Sequence, residues 1–334
     1  MRARGRTAVL LIATVALFGA ALFATSASAA RPTATRPLRL GCDEGAAIAD
    51  GVITIPIEVF KFRDFVEPIV EMCFDGKGPF PMTLDTGAAF SVITTPLAKK
   101  LGLKRAGAPF EVRGAGCSTK ADLYELEGAS VGGVALEGGD VTTVDAPGRR
   151  GGGPFGSLGA DILSRFGSVK IDFKRETLTL GAEAEGPWLK KVPDPPAVPA
   201  PLLKRKPEVT VPMRVQLGQG VTQTVKVKVG STKPQPWLID TGSTASEIEP
   251  GLVRRAGLRS VGTHLVRTYC SVIKVPEFRA TALSIGAEKL VPQVLASHHG
   301  ASFGDAGTLG AYSLWQFGSV VFDWPGGKLL LGVG

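Results

Sequence analysis

Thr83-Leu84-Asp85-Thr86-Gly87-Ala88 decides how the rest of the chain is read. An apolar run enters an Asp-Thr-Gly turn, and the chain repeats the arrangement as Leu238-Ile239-Asp240-Thr241-Gly242-Ser243. Composition alone would give Asp-Thr-Gly about a tenth of a time in a chain of this length. A single copy reads as an ordinary Asp-Gly turn at a strand end. Two copies, each behind a proline and an apolar run, do not.

The match extends outward from the two turns. Residues 81–103 read PMTLDTGAAFSVITTPLAKKLGL, and residues 236–258 read PWLIDTGSTASEIEPGLVRRAGL. From Asp85 to Asp240 the offset is 155, and Leu97/Leu252, Gly102/Gly257 and Leu103/Leu258 fall in register. Residues 158–181, LGADILSRFGSVKIDFKRETLTLG, return as residues 309–332, LGAYSLWQFGSVVFDWPGGKLLLG, at an offset of 151. A repeat of this span is a duplicated lobe.

The paired motifs resemble those of the aspartic peptidases, pepsin-like and retropepsin-like. In that family each lobe or subunit contributes one Asp-Thr-Gly, and the two Asp meet at a two-fold or pseudo-two-fold axis. The resemblance implies an all-β fold of two pseudo-symmetric acid-protease lobes in one chain, with a few short helices. The near-equal lobes look like a retropepsin dimer fused into one chain, and are too short for a full pepsin. The order of strand, hairpin, strand and Asp-Thr-Gly is similar to the way bacterial retropepsin-like domains begin. On this reading Asp85 and Asp240 are the catalytic carboxylates, and Thr86 and Thr241 cross-brace the loops. Gly87 and Gly242 let the backbone pass close behind the carboxyls.

The expected organisation follows. Residues 1–30 read as a secretory signal: Arg2, Arg4 and Arg6, an apolar run over 8–24, then Ala27-Ser28-Ala29. An uncleaved anchor is the alternative, because the run is slightly long. Residues 31–50 are an N-terminal extension expected to lack order, 51–182 form lobe one, 183–207 are a Pro-rich linker and 208–334 form lobe two. Secretion or a periplasmic location follows. The formal charge is +8, of which the three leading arginines supply three. What remains is spread thinly rather than clustered in the stripe that nucleic-acid binding needs, so no nucleic-acid partner is expected. After signal removal no membrane partner is expected either.

Residues 110–125 are expected to fold over the cleft as a flap, with Gly114, Ala115 and Gly116 at its tip. Lobe two has Arg267-Thr268-Tyr269-Cys270 there instead. A secreted chain with four cysteines is expected to pair them, and four allow three connectivities. Cys117 and Cys270 are symmetry mates at an offset of 153. The resemblance implies that flap tips approach across the axis, which would join Cys117 to Cys270 and leave Cys42 for Cys73. Unlinked thiols are the alternative.

Other polar candidates read as structural. Asp172 and Asp323 each precede a closing hairpin turn. Asp161 stands at a helix start, where the family has an Arg one residue earlier and this chain has Ala160. His298-His299 has no spaced carboxylate or Cys partner and reads as a surface loop, so no metal site is expected. Gly151-Gly152-Gly153 lacks the strand-to-helix setting of a phosphate loop. No cofactor is expected. The expected partner is a peptide or protein substrate, and two Asp in one chain make a catalytic dimer unnecessary, so a monomer is expected. The functional expectation is an aspartic endopeptidase that activates a water between Asp85 and Asp240. The alternative is an inactive pepsin-like module that binds a peptide or protein. Ser243 after the second loop and Ala88 after the first imply, by the resemblance, an acidic optimum milder than pepsin's.

Overall fold

The computed structural model describes residues 42, 47–49, 52–114, 117–126, 128–136, 139–145, 153–181, 209–217, 220–268, 272–299 and 306–332. The expected signal (1–30) and the expected linker (183–207) lie outside them. The chain is mostly β, with two curled β lobes, few short helices and a sheet that joins the lobes.

Each lobe starts from strands whose side chains alternate between core and surface, the period-two pattern of a pleated strand. In Phe65–Phe74, Val66, Val70 and Met72 are buried while Glu67 and Glu71 lie on the more open face. Its lobe-two mate, Val221–Val229, buries Val221, Gln223, Val225, Val227 and Val229 on one face and exposes Lys226 and Lys228 on the other. A turn at Asp75-Gly76 returns the first of these into Lys77–Asp85, which ends on the first Asp. Gly156–Gly159 then runs parallel beside it, with Leu158 opposite Leu84 and Gly159 opposite Asp85. Lobe two repeats the pairing with Gln235–Asp240 and Gly307–Gly310, setting Leu309 opposite Ile239 and Gly310 opposite Asp240. Leu84, Leu158, Ile239 and Leu309 are all fully buried. At about 1.5–3 kcal/mol each, they anchor the loops that carry the carboxyls.

The helices after each loop are Thr95–Leu101 and Pro250–Ala256, ended by Gly102 (φ 76°) and Gly257 (φ 61°) in the left-handed region. Glycine enters that region without a Cβ penalty. Thr94 is the N-cap, and its hydroxyl makes no capping bond. A proline in the first turn has no N–H to satisfy, which leaves the cap less to do.

The seven-stranded sheet runs in the order Ala47–Ala49, Val52–Pro56, Thr177–Gly181, Ser168–Asp172, Ser319–Asp323, Lys328–Leu331 and Val209–Pro212. The lobes join where Ser168–Asp172 lies antiparallel to Ser319–Asp323, with Ile171 opposite Val320 and Val169 opposite Phe322. All four of these side chains are fully buried.

At the N-terminal end, residues 52–62 form two strands in different sheets. Pro56 ends Val52–Pro56 in the joining sheet, and Glu58–Phe62 enters the lobe-one sheet. Between them the Ile57 N–H donates to the Glu176 carbonyl (2.9 Å). Against expectation, the lead is not loose throughout. Ala47–Ala49 pairs with Val52–Pro56, and a disulfide ties Cys42 to Cys73 with α-carbons 5.6 Å apart. No helix among the described residues is long and apolar enough to cross a membrane.

Candidate active site

The two Asp-Thr-Gly loops meet between the lobes, locked by a reciprocal set of hydrogen bonds. The Thr86 N–H donates to Thr241 Oγ1 (3.1 Å), and the Thr241 N–H donates to Thr86 Oγ1 (3.1 Å). Each hydroxyl then donates across the axis, Thr86 to the Ile239 carbonyl (3.2 Å) and Thr241 to the Leu84 carbonyl (2.7 Å). Both threonines are fully buried. Each hydroxyl accepts from and donates to the opposite loop at once, which only a group that is both donor and acceptor can do in so small a volume. Gly87 lies against the other lobe's carboxyl, where a Cβ would collide with Asp240.

Behind each loop the scaffold is again duplicated. The Ala160 N–H donates to the Ala88 carbonyl and the Ala311 N–H to the Ser243 carbonyl, both at 2.8 Å. Ser91 Oγ accepts from the Gly159 N–H (2.9 Å), and Ser246 Oγ accepts from the Gly310 N–H (3.0 Å).

Asp85 is 0% exposed and Asp240 5%. The two carboxyls are joined by a side-chain hydrogen bond. The Ala88 N–H donates to Asp85 Oδ1 (2.8 Å), while Gly242 and Ser243 N–H groups both donate to Asp240 Oδ1 (2.9 and 3.0 Å). Burial pushes the Asp240 carboxyl up to about 6, with a further upward push from the Glu247 carboxylate, against the N–H donors and the Asp85 bond. A carboxyl tuned this way keeps its proton where an exposed Asp has lost it, so the two carboxyls can divide acid and base roles.

The Ser243 hydroxyl is engaged away from Asp240. It donates to the Ala245 carbonyl (2.8 Å) and lies 3.5 Å from Glu247 Oε1. Glu247 in turn meets His298 Nε2 at 3.2 Å, and both side chains are more than nine-tenths buried. The surface-loop reading of His298 is therefore overturned: its imidazole packs inward to a buried carboxylate, while its neighbour His299 supplies a carbonyl at 3.2 Å from Nδ1. Among the described residues no group of His, Cys, Asp and Glu could hold a metal ion.

The flap of lobe one is the hairpin Phe110–Gly114 and Cys117–Leu126, with Gly114 opposite Cys117. Ala115 and Gly116 lie outside the described residues. Lobe two raises its own hairpin, Arg259–Arg267 and Val272–Ala280. The two flaps touch where Cys117 Sγ lies 3.2 Å from Thr268 Oγ1. Cys117 is disulfide-bonded, and no described cysteine is a free thiol. Cys270 lies outside the described residues.

Of the remaining candidates, Asp161 sits in the first turn of Ala160–Leu163 and accepts from the Ser91 hydroxyl (2.8 Å). Asp172 accepts from the Lys174 and Arg175 N–H groups (3.2 and 3.0 Å) and the Arg175 guanidinium (2.9 Å). Asp323 accepts from the Gly326 N–H (2.8 Å). The last two stitch hairpin turns away from the dyad. Residues 151 and 152 lie outside the described residues.

Three residues that the motifs alone do not single out also build the site. Gln223 is fully buried and its amide donates to the Thr86 and Ile239 carbonyls, while its oxygen accepts from Trp324 Nε1 (3.1 Å). Its signal is a lone polar residue on the inward side of V-T-Q-T-V-K-V-K-V. Glu247 and His298 are legible as polar residues at positions where lobe one is apolar.

Residues 70–162 match the family model described as aspartyl protease. With two Asp-Thr-Gly loops brought together in a two-lobed β fold, the chain is aspartic-peptidase-like. No curated protein matches it in sequence. Similar solved structures include basic 7S globulin from soybean, at 10% identity and a TM-score of 0.43, covering 85% of this chain and 95% of that one. Conglutin gamma, a basic 7S globulin from lupine seeds, gives 11%, 0.46, 85% and 95%. The structure of edgp gives 11%, 0.44, 84% and 94%.

Proposed function

We propose that the chain is an aspartic endopeptidase that works outside the cytosol, secreted or in a periplasm. The observation that carries the reading is the hydrogen-bonded, buried Asp85–Asp240 pair, in which Asp240 holds its proton up to about pH 6. A water seated between the carboxyls loses a proton to the ionised one as its oxygen attacks the scissile carbonyl carbon. The protonated carboxyl gives its proton to the carbonyl oxygen, forming a tetrahedral diol. Collapse of the diol breaks the C–N bond, and a carboxyl proton passes to the leaving nitrogen. An extended peptide would lie beneath the two flap hairpins and pair main chain to main chain with them. The location rests on the signal-like start of the sequence and on the Cys42–Cys73 disulfide, a bond favoured in oxidising compartments.

A second reading is a module that binds a peptide without cutting it. The contact between flaps above two buried carboxyls favours it, because substrate must pass beneath that roof. Purified protein incubated with a diverse peptide pool across pH, with and without a pepstatin-type inhibitor, separates the two. Cleavage that the inhibitor blocks is expected. Asp85→Asn and Asp240→Asn should each cut cleavage about a thousandfold or more with the fold intact, and the double variant should be little worse than either. Near-normal turnover in either single variant overturns the two-carboxyl mechanism. Peptides bound but never cut would favour the second reading.

A further inference from the structure

The lobes differ in the lining behind the dyad. Register equates Val92 with Glu247: Val92 sits beside Thr142 on the neighbouring parallel strand, and Glu247 sits beside Ala296. Two residues further along those neighbours stand Val144 and His298. In lobe one Val92 and Val144 pack with Val112 and Ala121 into a small apolar cluster beneath the flap. In lobe two the matching cluster is Val266, Val275 and Ala296, and the other two places hold Glu247 and His298. A buried ion pair is no more stabilising than apolar side chains of similar volume and is frequently less so. Packing alone therefore gives no reason for the exchange.

We propose that Glu247 and His298 are positioning residues for Asp240, setting through Ser243 the pH range over which the dyad retains its shared proton. The chain of contacts is short. The Ser243 N–H holds Asp240 Oδ1 at 3.0 Å, the Ser243 hydroxyl reaches Glu247 Oε1 at 3.5 Å, and Glu247 Oε2 meets His298 Nε2 at 3.2 Å. Glu247 is thus the nearer charge to Asp240 and His298 the farther one. An anion at Glu247 opposes a second anion at Asp240, so the dyad keeps its proton to higher pH. The imidazole decides how much of that anion is felt. Burial raises the Glu247 carboxyl and opposes a charge on His298, but the Glu247 bond and charge more than offset this and raise His298 as well. The two groups therefore share a proton that each holds to higher pH than it would in water. Other charged groups face this pair: Asp85 beyond Asp240, His264 and its partner Glu277 (2.9 Å) from the flap strands, and Glu249 near His298. Among the described residues lobe one has no such pair behind Asp85.

The inference rests on the dyad reading above, but its test does not need cleavage. Carbon-13 NMR of Asp-labelled protein would follow the Asp240 carboxyl through a pH titration, in wild type and two variants. Glu247→Gln keeps the volume and removes the charge. Glu247→Val with His298→Val copies the packing already present in lobe one, which guards against a variant that merely fails to fold. In both, the Asp240 midpoint should fall by about half a pH unit or more. The alkaline limb of the kcat/KM profile should move down with it, with kcat at the optimum changed by only a few-fold. A midpoint within about 0.2 unit of wild type in either folded variant overturns the proposal. Loss of the fold in both variants would make the pair structural and overturn it as well. If the midpoint moves while wild type cleaves nothing at any pH, the peptidase reading fails and this linkage stands.

Discussion

Behind Asp85 the protein packs two valines; behind Asp240 it packs a glutamate and a histidine. The same division runs through the brace. On lobe two's first long strand Gln223 reaches two carbonyls at the junction and is held by Trp324. At the 155 and 151 offsets lobe one has Pro68 and Phe173, which can do neither. Duplication has preserved what the axis demands, namely the threonine hydroxyls, the parallel strand beside each Asp and the N–H groups aimed at each carboxyl. The lining behind has diverged. Two carboxyls related by near-symmetry are chemically interchangeable only if their surroundings are, and here they are not. The proton they share has a preferred host.

Three experiments break or sharpen that contrast. The largest effect should come from the Cys42–Cys73 disulfide; at the 155 offset from Cys73 lobe two has Lys228. Replacing Cys42 and Cys73 together by Ser frees a loop of 31 residues and should cost about 3–4 kcal/mol by the loop-entropy relation. Urea unfolding measures this, and an unchanged midpoint would show that the N-terminal strand holds without the bond.

Next in size is the pH dependence of Asp240. Its folded value of about 6 lies above the ordinary 3.8, so the native state binds a proton that the unfolded chain has released. The favourable contribution is complete below about pH 4 and is lost as pH rises through 6. By pH 7.5 the deficit reaches about 3 kcal/mol. Asp240→Asn should therefore gain stability over wild type at pH 7.5 and show little gain at pH 3.5. A pH-independent difference in melting would contradict the linkage.

The smallest effect is a difference within the brace. Thr86→Val removes a donor to the Ile239 carbonyl, which Gln223 still serves. Thr241→Val strips the Leu84 carbonyl of its 2.7 Å donor. Both variants should destabilise, with Thr241→Val worse by about 1 kcal/mol, the net worth of one buried hydrogen bond. Equal losses would mean that Gln223 does not compensate.

Much of this architecture is legible in the amino-acid sequence. Strand-loop punctuation, the prolines and the two offsets carry the two lobes, because strand, turn and cap chemistry are local. The axis is less direct. Nothing local in Asp-Thr-Gly says that two copies touch, and that expectation comes through resemblance. Gln223, Glu247 and His298 escape a reading by motif because their roles arise only when distant strands stack. Ser297-His298-His299-Gly300 reads as a polar loop, yet the strand Gln293–Ser297 delivers its first imidazole to a buried carboxylate. The remedy lies within the sequence: aligning one lobe on the other sets Glu247 against Val92.

The joining sheet imposes an order of events on synthesis. The lobes meet where Ser168–Asp172 pairs with Ser319–Asp323, and Lys328–Leu331 must seal the far side of that second strand. A nascent chain can complete lobe one while the ribosome is still adding residues of lobe two. It cannot bring Asp240 to Asp85 under a finished scaffold until residue 331 has emerged. On the proposed route out of the cytosol, the polypeptide threading a translocation pore carries half an active site and no scissors. On that proposal the dyad assembles only when the whole repeat is out, away from the compartment that made it.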